Sequence, residues 1–126
     1  MGLWLGETGA LAQTTTLEVT SATLEKAGVV TVSVDVMCGG DFVEAFLDID
    51  MVQPVGRTKS VEGDSFEDIA FSCTTGETVS LTTQVFPFRG RFGPGTAFIS
   101  PIVFVEDPCC SAEADDTTTV RLRRTK

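Results

Sequence analysis

The sequence predicts an all-β protein, an antiparallel β-sandwich of seven to eight strands. Thr and Val make up over a quarter of the 126 residues, and β-branched side chains pack well on a pleated sheet but lose freedom in helices. Short runs of alternating apolar and polar residues are separated by Gly, Pro and polar turn signals. This spacing is typical of a sandwich or small barrel. The length fits one domain of residues 14–126, after an N-terminal tail or signal-peptide remnant of residues 1–13.

The first half of the chain contains the clearest strands. After a first strand in residues 14–20, residues 28–38 place alternate apolar side chains on one face, namely Val30, Val32, Val34, Val36 and Cys38. Residues 42–52 repeat the pattern with Val43, Ala45, Leu47, Ile49 and Met51. A period of two indicates strands with one buried face. We expect Gly39 and Gly40 to join these two strands in a hairpin.

The middle of the chain continues the alternation. Residues 53–56 read Gln-Pro-Val-Gly, a tight-turn sequence that leads into a strand over residues 57–61. This second hairpin places Asp50 opposite Lys59. After a polar break at residues 62–65, residues 66–73 and 77–86 alternate as two further strands.

The last third of the chain predicts two more strands. Residues 96–105 form one of them, and Pro101 places that part at an edge or a bulge because proline lacks a backbone N–H. Residues 106–116 read as an acidic connection, and residues 117–124 as the final strand.

Four cysteines, Cys38, Cys73, Cys109 and Cys110, favour disulfides over a metal site. An even number in a small chain is typical of an oxidising compartment, and the spacing lacks the close pairs of zinc sites. Cys38 with Cys73 is the most natural pair, because each ends a strand-like run. With that pair formed, Cys109 and Cys110 bond to each other in a strained ring, bond to another chain, or stay partly free; alternatively, they pair separately with Cys38 and Cys73 instead.

Charge and the N-terminal segment predict where the protein acts. Nine basic against eighteen acidic residues give a net charge of −9, which repels nucleic acid and anionic membranes. No segment is apolar enough for a membrane-spanning helix. Ala10-Leu11-Ala12 before Gln13 has the small-x-small form of a signal-peptidase site. We therefore expect a secreted or cell-surface protein.

The order of these features resembles the small secreted immunoglobulin-like domains of many actinobacterial proteins. The residues that carry the resemblance are Ala22-Thr23-Leu24, GVVTVSVDVMC from residue 28, Val-Gln-x-x-Gly-Arg at residues 52–57, FSCTTG, Gly-Thr-Ala at residues 95–97 and the basic VRLRR. The resemblance covers most of the chain from Thr14. It implies an exported immunoglobulin-like sandwich and carries over no catalytic residue.

Chemical motifs are sparse. His is absent, so the usual base for Ser or Cys nucleophiles is missing, and we expect no enzyme activity and no cofactor. Glu44, Asp48 and Asp50 share one strand face, with Asp35 on the expected neighbouring strand, and paired carboxylates run glycoside chemistry in some enzymes. A solvated face explains them more simply.

Two acidic segments are compatible with calcium, which takes several oxygen ligands. They are residues 62–68 and the group Glu113, Asp115 and Asp116. Neither fits the spacing of an EF-hand, and solvated acidic loops are the simpler explanation. No metal site is therefore predicted.

The segment FPFRGRFGPG is the most distinctive part of the sequence. It interleaves phenylalanine and arginine in an acidic chain, and the predicted binding loop consists of Phe86, Phe88, Arg89, Arg91 and Phe92. These residue types dominate interface hot spots. Alternatively, one or two of the rings fold back to plug the sandwich while the arginines pair with carboxylates.

The leading hypothesis is therefore a non-catalytic binding or structural role, with a protein or cell-envelope component as partner. One alternative is a small-ligand carrier or hydrolase that uses an apolar cleft or the face of Glu44, Asp48 and Asp50. Another is a homo-oligomer or fibre subunit that assembles through exposed edge strands or through Cys109 and Cys110.

Overall fold

The computed structural model describes residues 15–106, 111–115 and 117–124. Within these residues the chain forms nine strands and no helix. The strands are β1 (Thr16–Leu24), β2 (Val30–Met37), β3 (Phe42–Val55), β4 (Lys59–Asp64), β5 (Ile69–Cys73), β6 (Thr78–Pro87), β7 (Gly95–Glu106), β8 (Ser111–Asp115) and β9 (Thr118–Leu122). All strand pairs are antiparallel, and one isolated parallel bridge joins Leu24 to Arg124.

The strands form two layers. The first sheet has the order β1-β2-β6. In the second sheet, β3 pairs with β4 and β5 and also with β7, which in turn pairs with β8 and β9. Two antiparallel sheets whose inner faces pack together form a β-sandwich. The all-β sandwich is thus confirmed, with nine strands instead of seven to eight because residues 111–115 form β8 and are not a connection.

Strand β6 connects the two layers. Its last two residues, Phe86 and Pro87, pair with Asp64 and Gly63 of β4. At Gly63 a Cβ atom would overlap the carbonyl oxygen of Phe86, so only glycine permits this close approach. The crossing closes the sandwich at one end of β6.

A hydrophobic cluster fills the space between the layers. Its members include the inward side chains of β2 and β3, which are Val30, Val32, Val34, Val36, Ala45, Leu47, Ile49 and Met51. Each is at most 1% exposed, and full burial of a large aliphatic side chain stabilises a fold by about 1.5–3 kcal/mol. The alternation that predicted these strands therefore identified the core correctly.

The predicted hairpin between β2 and β3 is wrong. Strand β2 pairs with β1 and β6, whereas β3 belongs to the other sheet. Gly39 and Gly40 carry the chain across the sandwich, and the Gly39 N–H donates to Thr15 Oγ1 at 2.9 Å. A period of two fixes which face of a strand is buried, but strands of either sheet share that pattern.

The second predicted hairpin exists with a different register. Strand β3 extends to Val55, which pairs with Lys59, and Asp50 faces Asp64 and not Lys59. The chain reverses at Gly56, whose φ is 75°, and L-residues with side chains avoid that region. Pro54 stays within the strand, so the turn lies further along than the Gln-Pro-Val-Gly sequence predicted.

Pro101 lies in a central strand and not in an edge strand. It pairs with Ile49 of β3. On its other side β7 pairs with β9 up to Ile99 and with β8 from Ile102. Pro101 therefore falls at the break between two partners, where a missing backbone donor costs least.

Candidate functional site

The structure divides the predicted binding loop into two halves. In the second half, Phe92 is only 2% exposed and belongs to the core cluster. Its N–H donates to the Gly28 carbonyl at 3.1 Å, and Arg91 Nη2 donates to the Lys26 carbonyl at 2.7 Å. The alternative that a ring folds back to plug the sandwich thus holds for Phe92, but this arginine binds a carbonyl and not a carboxylate.

A buried glutamine also binds the second half of the loop, and together with Arg91 and Phe92 it forms what we call the loop anchor. The Gln53 side chain is 2% exposed. Its Nε2 donates to the Gly93 carbonyl at 2.7 Å, and its Oε1 accepts from the Gly93 N–H at 2.8 Å. Both polar atoms of the amide are therefore satisfied, as burial requires. Arg91 and Phe92 hold the loop in place, and their contacts give them a structural role.

The first half of the loop faces solvent. Phe88 is 56% exposed and Arg89 is exposed beside it. Phe88 meets Phe66, which is 61% exposed, with ring centroids 5.9 Å apart. Phe66 also stacks on the half-buried Phe86 at 5.6 Å. We call Phe66, Phe86 and Phe88 the aromatic cluster.

Phe66 is the member that the sequence analysis missed. Residues 66–73 alternate like a strand, and Phe66 was assigned to its start, whereas β5 begins only at Ile69. Among the described residues Phe66 is the one non-glycine residue with positive φ, at 62°. The polar run Gly63-Asp64-Ser65 directly before it was a turn signal that pointed to an irregular backbone here.

Hydrogen bonds within the turn and to β3 hold the strained turn around Phe66. The Asp64 carboxylate accepts from the Phe66 N–H at 2.8 Å. Ser65, which is 5% exposed, donates its N–H to the Ile49 carbonyl at 3.0 Å, and its hydroxyl accepts from the Ile49 N–H at 3.3 Å. The turn is thereby fixed to β3, and the Phe66 ring projects from it.

Carboxylates lie on β3, on β4 and in the turn around Phe66. Asp50 and Asp64 face each other across β3 and β4. Burial, followed by repulsion from Asp48 and Asp64, raises the pKa of Asp50 above its ordinary value. Burial also raises the pKa of Asp48, against the hydrogen bond from Ser65 and with smaller contributions from Asp68 and Asp64. This side of the molecule therefore carries concentrated negative charge.

A groove of about 370 Å³ opens beside the cluster. It lies between the turn that precedes β5 and the end of β6. Its lining residues are Ser65, Glu67, Asp68, Ile69, Thr83, Gln84 and Phe86. Two of these carry carboxylates and none is basic. The groove and the aromatic cluster share Phe86, so they form one continuous candidate site.

The other predicted carboxylate positions do not form one group. Asp48 and Asp50 lie on the outer face of β3, and Glu44 is exposed on the same strand. Asp35 lies in the opposite sheet, where it accepts from Ser80 Oγ at 2.8 Å. The expectation that Asp35 neighbours these three residues is wrong because β2 and β3 do not pair.

The calcium candidates gain no support. Glu113 and Asp115 fall in β8, and Asp116 lies outside the described residues. In the described part of the chain no three Asp, Glu or Cys side chains are grouped to hold a metal ion.

A disulfide joins Cys38 to Cys73, with Cα atoms 5.7 Å apart. It links the chain after β2 to the end of β5, and so connects the two sheets. Cys109 and Cys110 lie outside the described residues, and their pairing stays a prediction. In the same described part of the chain, no helix has the length and apolar character to cross a membrane.

Comparisons with known proteins give little further information. No family model and no curated protein matches the chain. One similar solved structure is the solution structure of R. palustris CsgH, with 13% sequence identity and a TM-score of 0.41. The matched region covers 81% of this chain and 90% of the CsgH chain.

Proposed function

We propose that the chain is an exported, non-catalytic binding module that contacts a protein or cell-envelope component through the aromatic cluster. The observation that carries the proposal is Phe66, whose backbone has a φ of 62° and whose ring is 61% exposed. Such a conformation costs a bulky residue about 1–3 kcal/mol. Most of the ring is exposed and its contacts are with the other two rings of the cluster, so the turn presents an aromatic surface that a partner can cover.

The arrangement of the three rings supports the same conclusion. Phe66 stacks on Phe86 and meets Phe88, so the rings restrict one another before any partner binds. A preorganised aromatic surface loses little side-chain entropy on binding. Aromatic side chains are also frequent among the few residues that dominate interface energetics.

The disulfide supports export. Cys38–Cys73 is of the kind that persists in oxidising compartments and is rare in the cytosol. A secreted or cell-surface location, and kinship with small secreted immunoglobulin-like domains, belong to this proposal. The hydrolase and carrier alternatives, which use an apolar cleft or the face of Glu44, Asp48 and Asp50, stay alternatives to this proposal.

The test is Phe66→Asn in the full chain. Asparagine adopts the left-handed region more readily than phenylalanine, so we expect the free energy of unfolding to stay constant or rise by up to about 1 kcal/mol. Affinity capture from the native medium and envelope, read by quantitative mass spectrometry, should lose the specific partner.

The matched control is Phe98→Thr. Phe98 is also an exposed phenylalanine, at 40%, but it lies on the outer face of β7, outside the aromatic cluster. This variant should capture the partner as the wild type does. Equal capture by Phe66→Asn and the wild type would contradict the proposal.

A further inference from the structure

Among the described strands, none covers one edge of β6 over most of its length. Residues 78–85 pair with β2 through eight consecutive positions. On the opposite edge β6 pairs with β4 only at Phe86 and Pro87. Within the described part of the chain no strand pairs with that edge before Phe86. The open stretch ends at the groove, whose lining includes Thr83 and Gln84.

The hydrogen bonds at the two ends of β6 show which backbone groups face this edge. On the β2 side, Cys38 N–H donates to the Glu77 carbonyl, and on the β4 side Phe88 N–H donates to the Glu62 carbonyl. Successive residues of a strand direct their backbone groups to opposite edges. The register with β2 is regular throughout. Ser80, Thr82 and Gln84 therefore direct N–H and C=O to the open edge.

The open edge lacks the usual protection against further pairing. Residues 78–86 read TVSLTTQVF, without a charged residue or a proline. Natural proteins protect edge strands with lysine, proline or bulges, because an open edge is a template for another strand. By contrast β1, at the other side of the first sheet, is interrupted by a bulge between Val19 and Ser21.

Charge identifies the kind of strand that fits. Glu67 and Asp68 line the groove at the end of the open edge, and no basic residue is among the described residues that line it. The raised pKa of Asp48 includes repulsion from Asp68 and Asp64, which a cation would relieve. Lysine and arginine also bind to aromatic faces such as those of the cluster. A second copy of this chain, at a net charge of −9, would add repulsion instead.

We propose that the partner is an extended basic segment of another protein, which adds as a strand to the open edge of β6. Its backbone would pair with Ser80, Thr82 and Gln84, and its cationic side chains would lie against Glu67, Asp68 and the aromatic cluster. Strand addition takes affinity from main-chain hydrogen bonds and specificity from side-chain contacts. This inference rests on the proposed binding function and names the class of partner.

The experiment titrates the full chain with a synthetic decapeptide of alternating valine and lysine, at low ionic strength, by calorimetry. Gln84→Pro removes one donor from the open edge and no bond to β2, and proline is tolerated where its position faces outward from a sheet edge. Gln84→Ala removes the same exposed side chain and keeps the donor. We expect the Kd to rise about tenfold for Gln84→Pro and to change less than about twofold for Gln84→Ala.

Two altered probes separate the contributions of backbone and charge. N-methylation of alternate amides removes the hydrogen-bond donors along one edge of the decapeptide. The version whose methyl groups face β6 should not bind. A decapeptide with glutamate in place of lysine should not bind either. Thermal melts of both Gln84 variants establish that they fold. Protection of the Ser80 and Thr82 amides from hydrogen exchange on binding would support strand addition directly.

Several results would overturn the inference. Equal Kd values for folded Gln84→Pro and Gln84→Ala would mean that side chains alone hold the probe. Equal binding of the glutamate decapeptide would exclude a basic partner. A wild-type dimer in sedimentation velocity that Gln84→Pro converts to monomer would identify a second copy as the occupant.

The inference and the proposed function fail in distinguishable ways. If the wild type does not bind the lysine decapeptide while Phe66→Asn still abolishes capture, strand addition is wrong and the aromatic contact surface stands. If the decapeptide results hold while Phe66→Asn captures normally, the open edge binds the partner and the aromatic cluster does not.

Discussion

The two halves of the segment from Phe86 to Phe92 contain the same residue types and have opposite roles. Phe88 is 56% exposed and contacts the Phe66 ring at a tilt, whereas Phe92, four residues later, is 2% exposed and packs in the core. Arginine follows the ring in one half and precedes it in the other. Residue type alone therefore does not decide which ring becomes surface.

The backbone partners of the two rings account for the difference. Phe88 N–H donates to Glu62 at the margin of the second sheet, which leaves the ring outside the sandwich. Phe92 N–H donates to Gly28 in the turn between β1 and β2, which places the ring over the open end of the core. The site on the surface and the plug in the core are thus set by where the main chain is held.

Of the substitutions that test this comparison, Phe92→Ala should have the largest effect on stability. Truncating a fully buried phenylalanine should lower the free energy of unfolding by about 3–5 kcal/mol. Phe88→Ala, the matched control, should cost about 1 kcal/mol or less because that ring is half exposed. Urea denaturation followed by circular dichroism measures both. Comparable losses would mean that the two halves of the loop are not distinct.

A smaller effect is expected at the turn that receives Phe92. Gly28 and Gly90 both have positive φ, at 78° and 73°, so alanine at either costs about 1–2 kcal/mol in backbone strain. A Cβ at Gly28 would also lie 2.5 Å from the Arg91 Cβ, whereas one at Gly90 meets nothing within 4 Å.

The comparison of these two glycines isolates the contact with Arg91. Gly28→Ala should lower the free energy of unfolding by about 1–3 kcal/mol more than Gly90→Ala in the same urea titration, because Arg91 must move to make room for the added Cβ. Equal losses would show that the contact yields freely and that Gly28 is required only for its φ.

The strands were predictable because burial on one face imposes a period of two. Val30 to Val36 and Ala45 to Met51 follow this rule without exception, and their inner positions are all buried. Their neighbours were not predictable. A hairpin between β2 and β3 satisfies the same pattern as a crossing between sheets, and only the complementary packing of both layers selects the crossing.

The candidate site was predictable only in part. An excess of aromatic residues in a Gly-rich and Pro-rich segment identified Phe86 and Phe88. Phe92 has the same local sequence and was misassigned, because its burial depends on Gly28, far away in the chain. Phe66 was missed because its conformation depends on bonds from Ser65 to Ile49, which no local pattern encodes.

The smallest expected effect concerns the acidic side beside the exposed half of the loop. Burial and the neighbouring Asp48 and Asp64 raise the pKa of Asp50 above its ordinary value of 3.8. The folded state therefore binds more protons than the unfolded state in the window above 3.8, and stability falls as the pH rises through it. Removing the charge should relieve this penalty.

Asp50→Asn should accordingly unfold at a higher urea concentration than the wild type at pH 7, by a few tenths of a kcal/mol, as expected for like charges that face each other on adjacent strands. The difference should vanish well below pH 3.8, where Asp50 is protonated in both states.

Asp41 supplies a control of opposite sign, because hydrogen bonds from the Thr75 N–H and hydroxyl lower its pKa. Asp41→Asn should be less stable than the wild type at pH 7, and this deficit should shrink as the pH falls through the lowered pKa. If Asp50→Asn is no more stable than the wild type at pH 7, the like charges around Asp50 do not repel one another measurably, and the electrostatic preference for a basic partner loses its physical basis.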